Sequence, residues 1–312
     1  MKIVRIIPVI FLVLLLLFPA LSVQGAANGL LLWFNVILPT LAPFIICTQA
    51  ITALDGVNLI IRPVYPVIRF LFGLSPAGAY VFLCGLLCGY PLGARICADY
   101  LKAGKISEQE ASYLLAFCNH PSPMFLSGYV YSQLNLDISP LLLFALLYLP
   151  ILPISWLARH RYGIRRPFDE MELSAAALDG GTKKKPFSLD ELIFSTSETM
   201  VMIGGYIMLF SIFALWLQHV PRLSPRMIAA LSGVLEITTG VNQICTVFPA
   251  GKTLLPVTMV IAFGGFCGIF QTKSVIKDAR LSIRHYMMWK CVHMLFACTC
   301  FILLSQLLPI GY

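Results

Sequence analysis

Apolar runs long enough to cross a bilayer follow one another along this chain, and two of them, at 76–100 and 225–248, are broken in mid-run by glycine, proline and polar side chains. About 20 apolar residues in a helix span the ~30 Å of hydrocarbon in a membrane. Plain runs of this kind fall near 5–23, 29–53, 109–133, 138–158, 195–217, 253–271 and 288–309. The first broken run carries Gly85, Gly89, Pro91 and Gly93; the second carries Gly233, Glu236, Thr238, Thr239, Gly240 and Asn242. In lipid each backbone N–H and C=O needs an internal partner, so such breaks persist only where protein or a wet cavity covers them. Both runs are therefore predicted to be re-entrant hairpins that enter and leave on one side.

With 59% hydrophobic and 12% charged residues, the chain lies outside the range of water-soluble domains. The net charge of +8 does not point to nucleic acid, because Lys and Arg stand between apolar spans and not beside stacking aromatics. The ten cysteines lie mostly in apolar runs and read as small buried thiols, not as a disulfide framework. Residues 1–27 form a first transmembrane helix; Lys2 and Arg5 ahead of the apolar run also fit a signal-like segment.

Ser75 and Phe117 recur as Ser224 and Phe266 at one shared offset of 149 residues, each in a matching local context, Leu-Ser-Pro and Phe-Cys. This is the mark of an internal repeat. The basic segment 159–193, with Arg159, Arg161, Arg165, Arg166 and Lys183–Lys185, is expected to be a cytoplasmic linker. Counting spans outward from it puts Arg62, Arg69, Lys102, Lys105, Lys273, Lys277, Arg280 and Arg284 on the same side and the N-terminus in the cytoplasm; Arg222 and Arg226 are exceptions. Copy one (29–133) then enters from outside and copy two (195–283) from inside. The expected fold is an all-α polytopic membrane protein with two inverted-topology repeats, re-entrant hairpins and interrupted helices. Its units are the segment 1–27, a first repeat with the following helix at 28–158, the linker 159–193, and a second repeat with a C-terminal helix at 194–312.

Each copy pairs a broken hairpin with an interrupted helix. In copy one these are Cys88-Gly89-Tyr90-Pro91-Leu92-Gly93-Ala94-Arg95 and Phe117-Cys118-Asn119-His120-Pro121-Ser122-Pro123. In copy two they are Leu235-Glu236-Ile237-Thr238-Thr239-Gly240 and the run from Gly264 through Gly268, Gln271 and Thr272 to Lys273. Broken helices offer free donors, free acceptors and dipole ends, the usual chemistry of a carrier's mid-membrane site. Glu236 is the sharpest candidate, since a carboxylate at this depth needs a partner or water, with a structural helix cap or an intrahelical pair as its alternative. Arg95 is a candidate countercharge for an anionic cargo, with an interfacial anchor as its alternative. Asn119, His120, Ser122, Thr238, Thr239, Gln271 and Thr272 are candidate neutral ligands, each with a helix-packing hydrogen bond as the alternative. Gly89, Tyr90, Pro91, Gly93 and Gly268 supply the unwound backbone. Cys88, Cys118, Cys267 and His120 together suit a soft metal such as ferrous iron. Neither His-Glu-x-x-His nor Gly-x-Ser-x-Gly occurs, so the sequence does not read as an enzyme, and no cofactor is implied.

These segments resemble the Gate, or nucleoside-recognition, family, and within it the YlbJ (SpoVV) sporulation integral membrane proteins. The resemblance rests on Gly89–Ala94, Lys105–Asn119, Gly204–Ile207, Leu235–Gly240 and the Phe-Gly-Gly run from Phe263. Residues 263–274 are also similar to the second hairpin of concentrative nucleoside transporters, and Glu236 sits where that group places a substrate-contacting glutamate. The Gln-Thr-Glu signature of the first hairpin in those transporters is absent here. The resemblance implies a carrier or facilitator of a small anionic organic solute, dipicolinate during sporulation, in a bacterial cell membrane or the outer forespore membrane. Nucleoside or ferrous-iron permeation and a non-transporting membrane scaffold are the alternatives. The expected partners are a small solute, the lipid bilayer and, for a carrier, a coupling ion or a second copy of the chain.

Overall fold

A computed structural model describes residues 2–54, 56–136, 138–165, 167–168 and 188–307. Most of the linker, including Arg166 and Lys183–Lys185, lies outside the described residues. Every regular element among the described residues is a helix. Helices α1 (Lys2–Leu17), α2 (Pro19–Leu32), α3 (Leu38–Ala53), α4 (Val57–Phe72), α5 (Pro76–Cys88), α6 (Leu92–Lys102) and α7 (Glu108–Leu115) are followed by α8 (Pro123–Phe125) and α9 (Tyr131–Leu134). Then come α10 (Pro140–Tyr148), α11 (Ile151–Arg161), α12 (Leu189–Gln218), α13 (Pro225–Leu235), α14 (Ile237–Val247), α15 (Leu254–Phe263), α16 (Gly265–Ile276) and α17 (Ile283–Leu307).

Among the described residues, five stretches are long and apolar enough to cross a membrane: Pro19–Ala53, Pro140–Arg161, Leu189–Gln218, Ala250–Ile276 and Ile283–Leu307. The first is a continuous rod in which the π-helical turn Trp33–Ile37 joins α2 to α3. The boundary expected near residue 27 therefore falls inside a helix, and the chain bends instead at Phe18, ahead of Pro19, where proline is suited to the first helical turn. The outward faces are apolar, with Leu59 and Phe70 more than four-fifths exposed, as expected of surfaces that meet lipid and not water. This is an integral membrane protein. All ten cysteines are free, and most are buried or half-buried, whereas Cys47 and Cys291 are exposed.

The apolar span 109–133 is interrupted in its middle, at the break expected around Phe117–Pro123. It stops at Leu115, runs without helix through Asn119–Ser122, and resumes at Pro123, where Ser122 Oγ accepts the Phe125 N–H at 3.1 Å as the new N-cap. The segment 57–72 is a helix that the apolar count passed over; it meets α5 at a 95° bend. Gly73 ends it in the left-handed conformation, φ +61°.

Two tight helical hairpins, α5–α6 and α13–α14, repeat one device. Each begins at a Ser-Pro N-cap: Ser75 Oγ accepts from Gly78 N at 3.0 Å and Ser224 Oγ from Met227 N at 3.3 Å. Each is pinched where two glycines face each other. A Cβ at Gly93 would sit 2.9 Å from the Gly85 Cα, and one at Gly240 would collide with the Gly233 Cα. Such close backbone approach is what small residues permit between membrane helices. A third glycine pair joins α2 to α12: a Cβ at Gly25 or at Gly29 would lie 2.8 Å from Ile212 Cα or Ser211 Cβ.

Candidate functional site

The four helix breaks meet. Gly89 and Tyr90 from the first, Pro121 and Ser122 from the second, Glu236, Ile237 and Thr238 from the third, and Gly264, Cys267, Gly268 and Gln271 beside the fourth all line one cavity of about 40 Å³. Ile37, Thr40 and Leu41 of the long first rod and Ile203 and Ile207 of α12 close its remaining side. The volume admits a few waters, since one needs about 10–15 Å³ by this measure. It is far below the several hundred Å³ typical of a ligand pocket.

The first and second breaks, and the third and fourth, approach each other where side chains are missing. A Cβ at Gly89, whose φ is +81°, would lie 2.8 Å from Ser122 N; one at Gly265, φ +65°, would lie 3.3 Å from the Leu235 carbonyl oxygen. Only glycine takes these backbone angles without strain. Tyr129 Oη donates to Thr238 O in the first turn of α14 at 2.8 Å, and Tyr148 Oη donates at 2.9 Å to the Pro121 carbonyl, which the second break leaves outside any helix. That buried main-chain group is thereby satisfied without helix.

Glu236 is the whole of the third break. Its N–H completes α13 by donating to Ser232 O at 2.8 Å, and its own carbonyl accepts from Gly240 N at 3.0 Å to start α14. The carboxylate caps α14: Oε1 accepts Thr238 N at 3.0 Å, while Oε2 accepts Thr239 N at 2.7 Å and Thr238 Oγ1 at 2.5 Å. A negative charge at a helix N-terminus is favourable, which accounts for a carboxylate that is 2% exposed. The cap and the cavity position coexist in this residue. Nearby, the Gln271 amide donates to Cys267 Sγ at 3.2 Å, and the buried Tyr90 hydroxyl has no hydrogen-bond partner among the described residues.

Of the residues singled out from sequence, Gly89, Tyr90, Pro121, Ser122, Glu236, Thr238, Gly264, Cys267, Gly268 and Gln271 reach the cavity; the others lie elsewhere. Asn119 is a fastener. Its Nδ2 donates to Thr272 Oγ1 at 3.0 Å and to Tyr286 Oη at 2.8 Å, and its Oδ1 accepts Ala94 N at 3.4 Å. His120 turns back to the Phe117 carbonyl and meets His293 edge to face, with centroids 4.9 Å apart. Gly93 faces the Cys118 carbonyl, and Pro91 precedes α6 as its N-cap. Arg95 is not among the residues lining the cavity; it donates to Thr199 Oγ1 of α12 and pairs with Asp99 at 3.8 Å. Among the described residues no group of three His, Cys, Asp or Glu side chains is placed to hold a metal, and Cys88, Cys118, Cys267 and His120 do not converge.

Beyond Thr238 lies a wider space of about 570 Å³, lined by Gln24, Asn28, Asn35, Gln218, Asn242 and Gln243 together with Tyr129, Thr238 and Thr239. Thr238 belongs to both walls and so divides vestibule from cavity. The two π-helical turns, Trp33–Ile37 and Leu126–Val130, contribute Asn35, Val36 and Tyr129 to that vestibule; such turns are frequent at functional sites. Sequence reading also passed over Lys290 and His293 of α17, both buried. A lysine and a histidine three apart inside an apolar run were the available signal.

No family model matches the chain, and no solved structure matches it. Among curated proteins it is similar to the sporulation integral membrane protein YlbJ of Bacillus subtilis, strain 168, with 26% identity over 306 residues that cover 86% of this chain and 74% of the relative. The likeness takes in both hairpins and all four breaks in length, and the chain is YlbJ-like along most of its sequence.

Proposed function

We propose that the chain is a secondary carrier or facilitator for a small polar, anionic organic solute, working from a bacterial cell membrane. The observation that carries this reading is the convergence of four helix breaks, two from each half, on one cavity beside a larger polar vestibule. Carriers built from inverted repeats place their cargo at such junctions of discontinuous helices. The amide-rich vestibule collects the solute, Thr238 and Tyr129 form the partition it must pass, and Glu236, Gln271, Ser122 and the Tyr90 hydroxyl supply polar contacts within. Because the cavity is smaller than any organic cargo, loading requires the α5–α6 and α13–α14 hairpins to part, one toward each face in alternation. The likeness to a sporulation protein favours a spore-related cargo, and dipicolinate is the solute to try first.

Uptake into proteoliposomes of the purified full-length protein tests this. Saturable entry of dipicolinate, a nucleoside or ferrous iron, above protein-free vesicles, supports a carrier and identifies its cargo class. Entry of none of them, with a folded protein, favours the membrane scaffold.

A further inference from the structure

A buried lysine stands behind the cavity wall. Lys290 is 2% exposed in the middle of α17's packed face, and a lysine ammonium offers three N–H donors. Here it makes one long bond, Nζ to the Asn119 carbonyl oxygen at 3.5 Å, and lies 5.6 Å from the centre of the Tyr90 ring. Among the described residues no carboxylate is within ion-pair distance of it. Glu236 is committed to Thr238 and Thr239. The Tyr90 hydroxyl and His120 Nδ1, both buried, also lack hydrogen-bond partners among the described residues.

Only a glycine separates this cluster from the cavity. A Cβ at Gly264 would sit 3.2 Å from Lys290 Cε and 3.9 Å from Tyr90 Cε1, and both Gly264 and Tyr90 line the cavity. Gly264 has φ +84° and no side chain, so the partition is one strand of backbone and one aromatic ring. An ammonium at membrane depth without a counter-ion is costly and tends to mark a pathway or ligand contact. Lys290, unlike Arg95, is a basic side chain packed against residues that line the cavity.

We propose that Lys290 is the countercharge for an anionic group of the cargo, carboxylate or phosphate, with the Tyr90 hydroxyl as a second donor to the same group. The ammonium and the anion pair when the wall of Gly264 and Tyr90 opens, and charge-assisted bonds to both oxygens then fix the cargo's orientation. This inference rests on the carrier reading for its biological sense, but binding can be measured without transport.

The test is equilibrium dialysis of full-length protein in lipid nanodiscs against dipicolinate and uridine monophosphate, with pyridine and uridine as uncharged counterparts. At least one of the two anions is expected to bind wild type and Lys290→Arg alike and Lys290→Gln at least about tenfold more weakly, the loss of one desolvated charge pair. The uncharged solutes should not distinguish the variants. Lys290→Gln that binds as tightly as wild type, or a wild type that binds neither anion, overturns the proposal. Should Lys290→Gln fail to fold, acylation of wild type by acetic anhydride, read by mass spectrometry, replaces it. A bound anion should cut modification of Lys290 severalfold, and unchanged modification overturns the proposal. Anion binding at Lys290 without uptake would sink the carrier reading alone; uptake unaltered in Lys290→Gln would sink this inference alone.

Discussion

The Asn119 amide of the first half donates to the Thr272 hydroxyl of the second at 3.0 Å, bridging 153 residues of sequence. The same amide nitrogen reaches Tyr286 Oη at 2.8 Å, so one side chain fastens the second break to both α16 and α17. Asn119→Ala removes the buried hydrogen bonds to Tyr286 Oη, Thr272 Oγ1 and Ala94 N, of which Thr272 Oγ1 keeps its bond to the Gly268 carbonyl at 2.8 Å. It should destabilise the protein by about 2–4 kcal/mol, since each buried group left unpaired costs about 1–3 kcal/mol. Thermal unfolding of Asn119→Ala, Thr272→Val and the double variant checks this, with a coupling of at least ~0.5 kcal/mol expected for groups in contact.

The glycine pinch of the first hairpin leaves no room for a methyl group. A Cβ at Gly85 or Gly93 would collide with the Cys118 carbonyl oxygen, which is backbone and cannot swing away. Gly85→Ala and Gly93→Ala should each lower the yield of folded, monodisperse protein sharply. Gly205→Ala, where the added Cβ meets nothing within 4 Å, should not. Size-exclusion chromatography after detergent extraction reads the difference.

Gly25 and Gly29 let α2 lie against Ile212 and Ser211 of α12. Gly29→Leu forces this pair apart in a membrane, where association depends on close packing. The expected result is a loss of at least about 2 kcal/mol, the overpacking range or above. Denaturant titration in micelles measures it.

Arg95 lies outside the cavity and joins Asp99 and Thr199, with its side chain partly exposed. Arg95→Ala should leave cargo affinity within about twofold of wild type and cost at most ~1 kcal/mol, as exposed ion pairs do. A tenfold loss of affinity in dialysis would return Arg95 to the site.

The breaks were legible in sequence because glycine, proline and a lone carboxylate are locally conspicuous in an apolar run. Gly89, Ser122, Glu236 and Gly268 could each be picked out without knowing their neighbours. What closes the cavity was not legible. Ile37, Leu41, Ile203 and Ile207 look like any other helix residues, and only packing between distant helices selects them. Asn119 and Gln271 carry the same amide, yet one fastens helices and the other lines the cavity; residue type alone does not separate the two roles. Lys290 was passed over because the apolar run was counted from 288, which placed it at a membrane edge. Helix α17 begins at Ile283 and carries Lys290 two turns inward.

Gly268 offers the most direct examination of the cavity, because it lines the space and a Cβ there would meet nothing within 4 Å. Gly268→Leu should therefore fold as wild type does while filling the room the cargo must occupy. Uptake of dipicolinate into proteoliposomes, measured side by side for the two proteins at matched thermal stability, is predicted to be saturable for wild type and reduced at least about tenfold for Gly268→Leu, the equivalent of ~1.4 kcal/mol. Equal uptake by both proteins would show that solute does not pass where the four breaks meet.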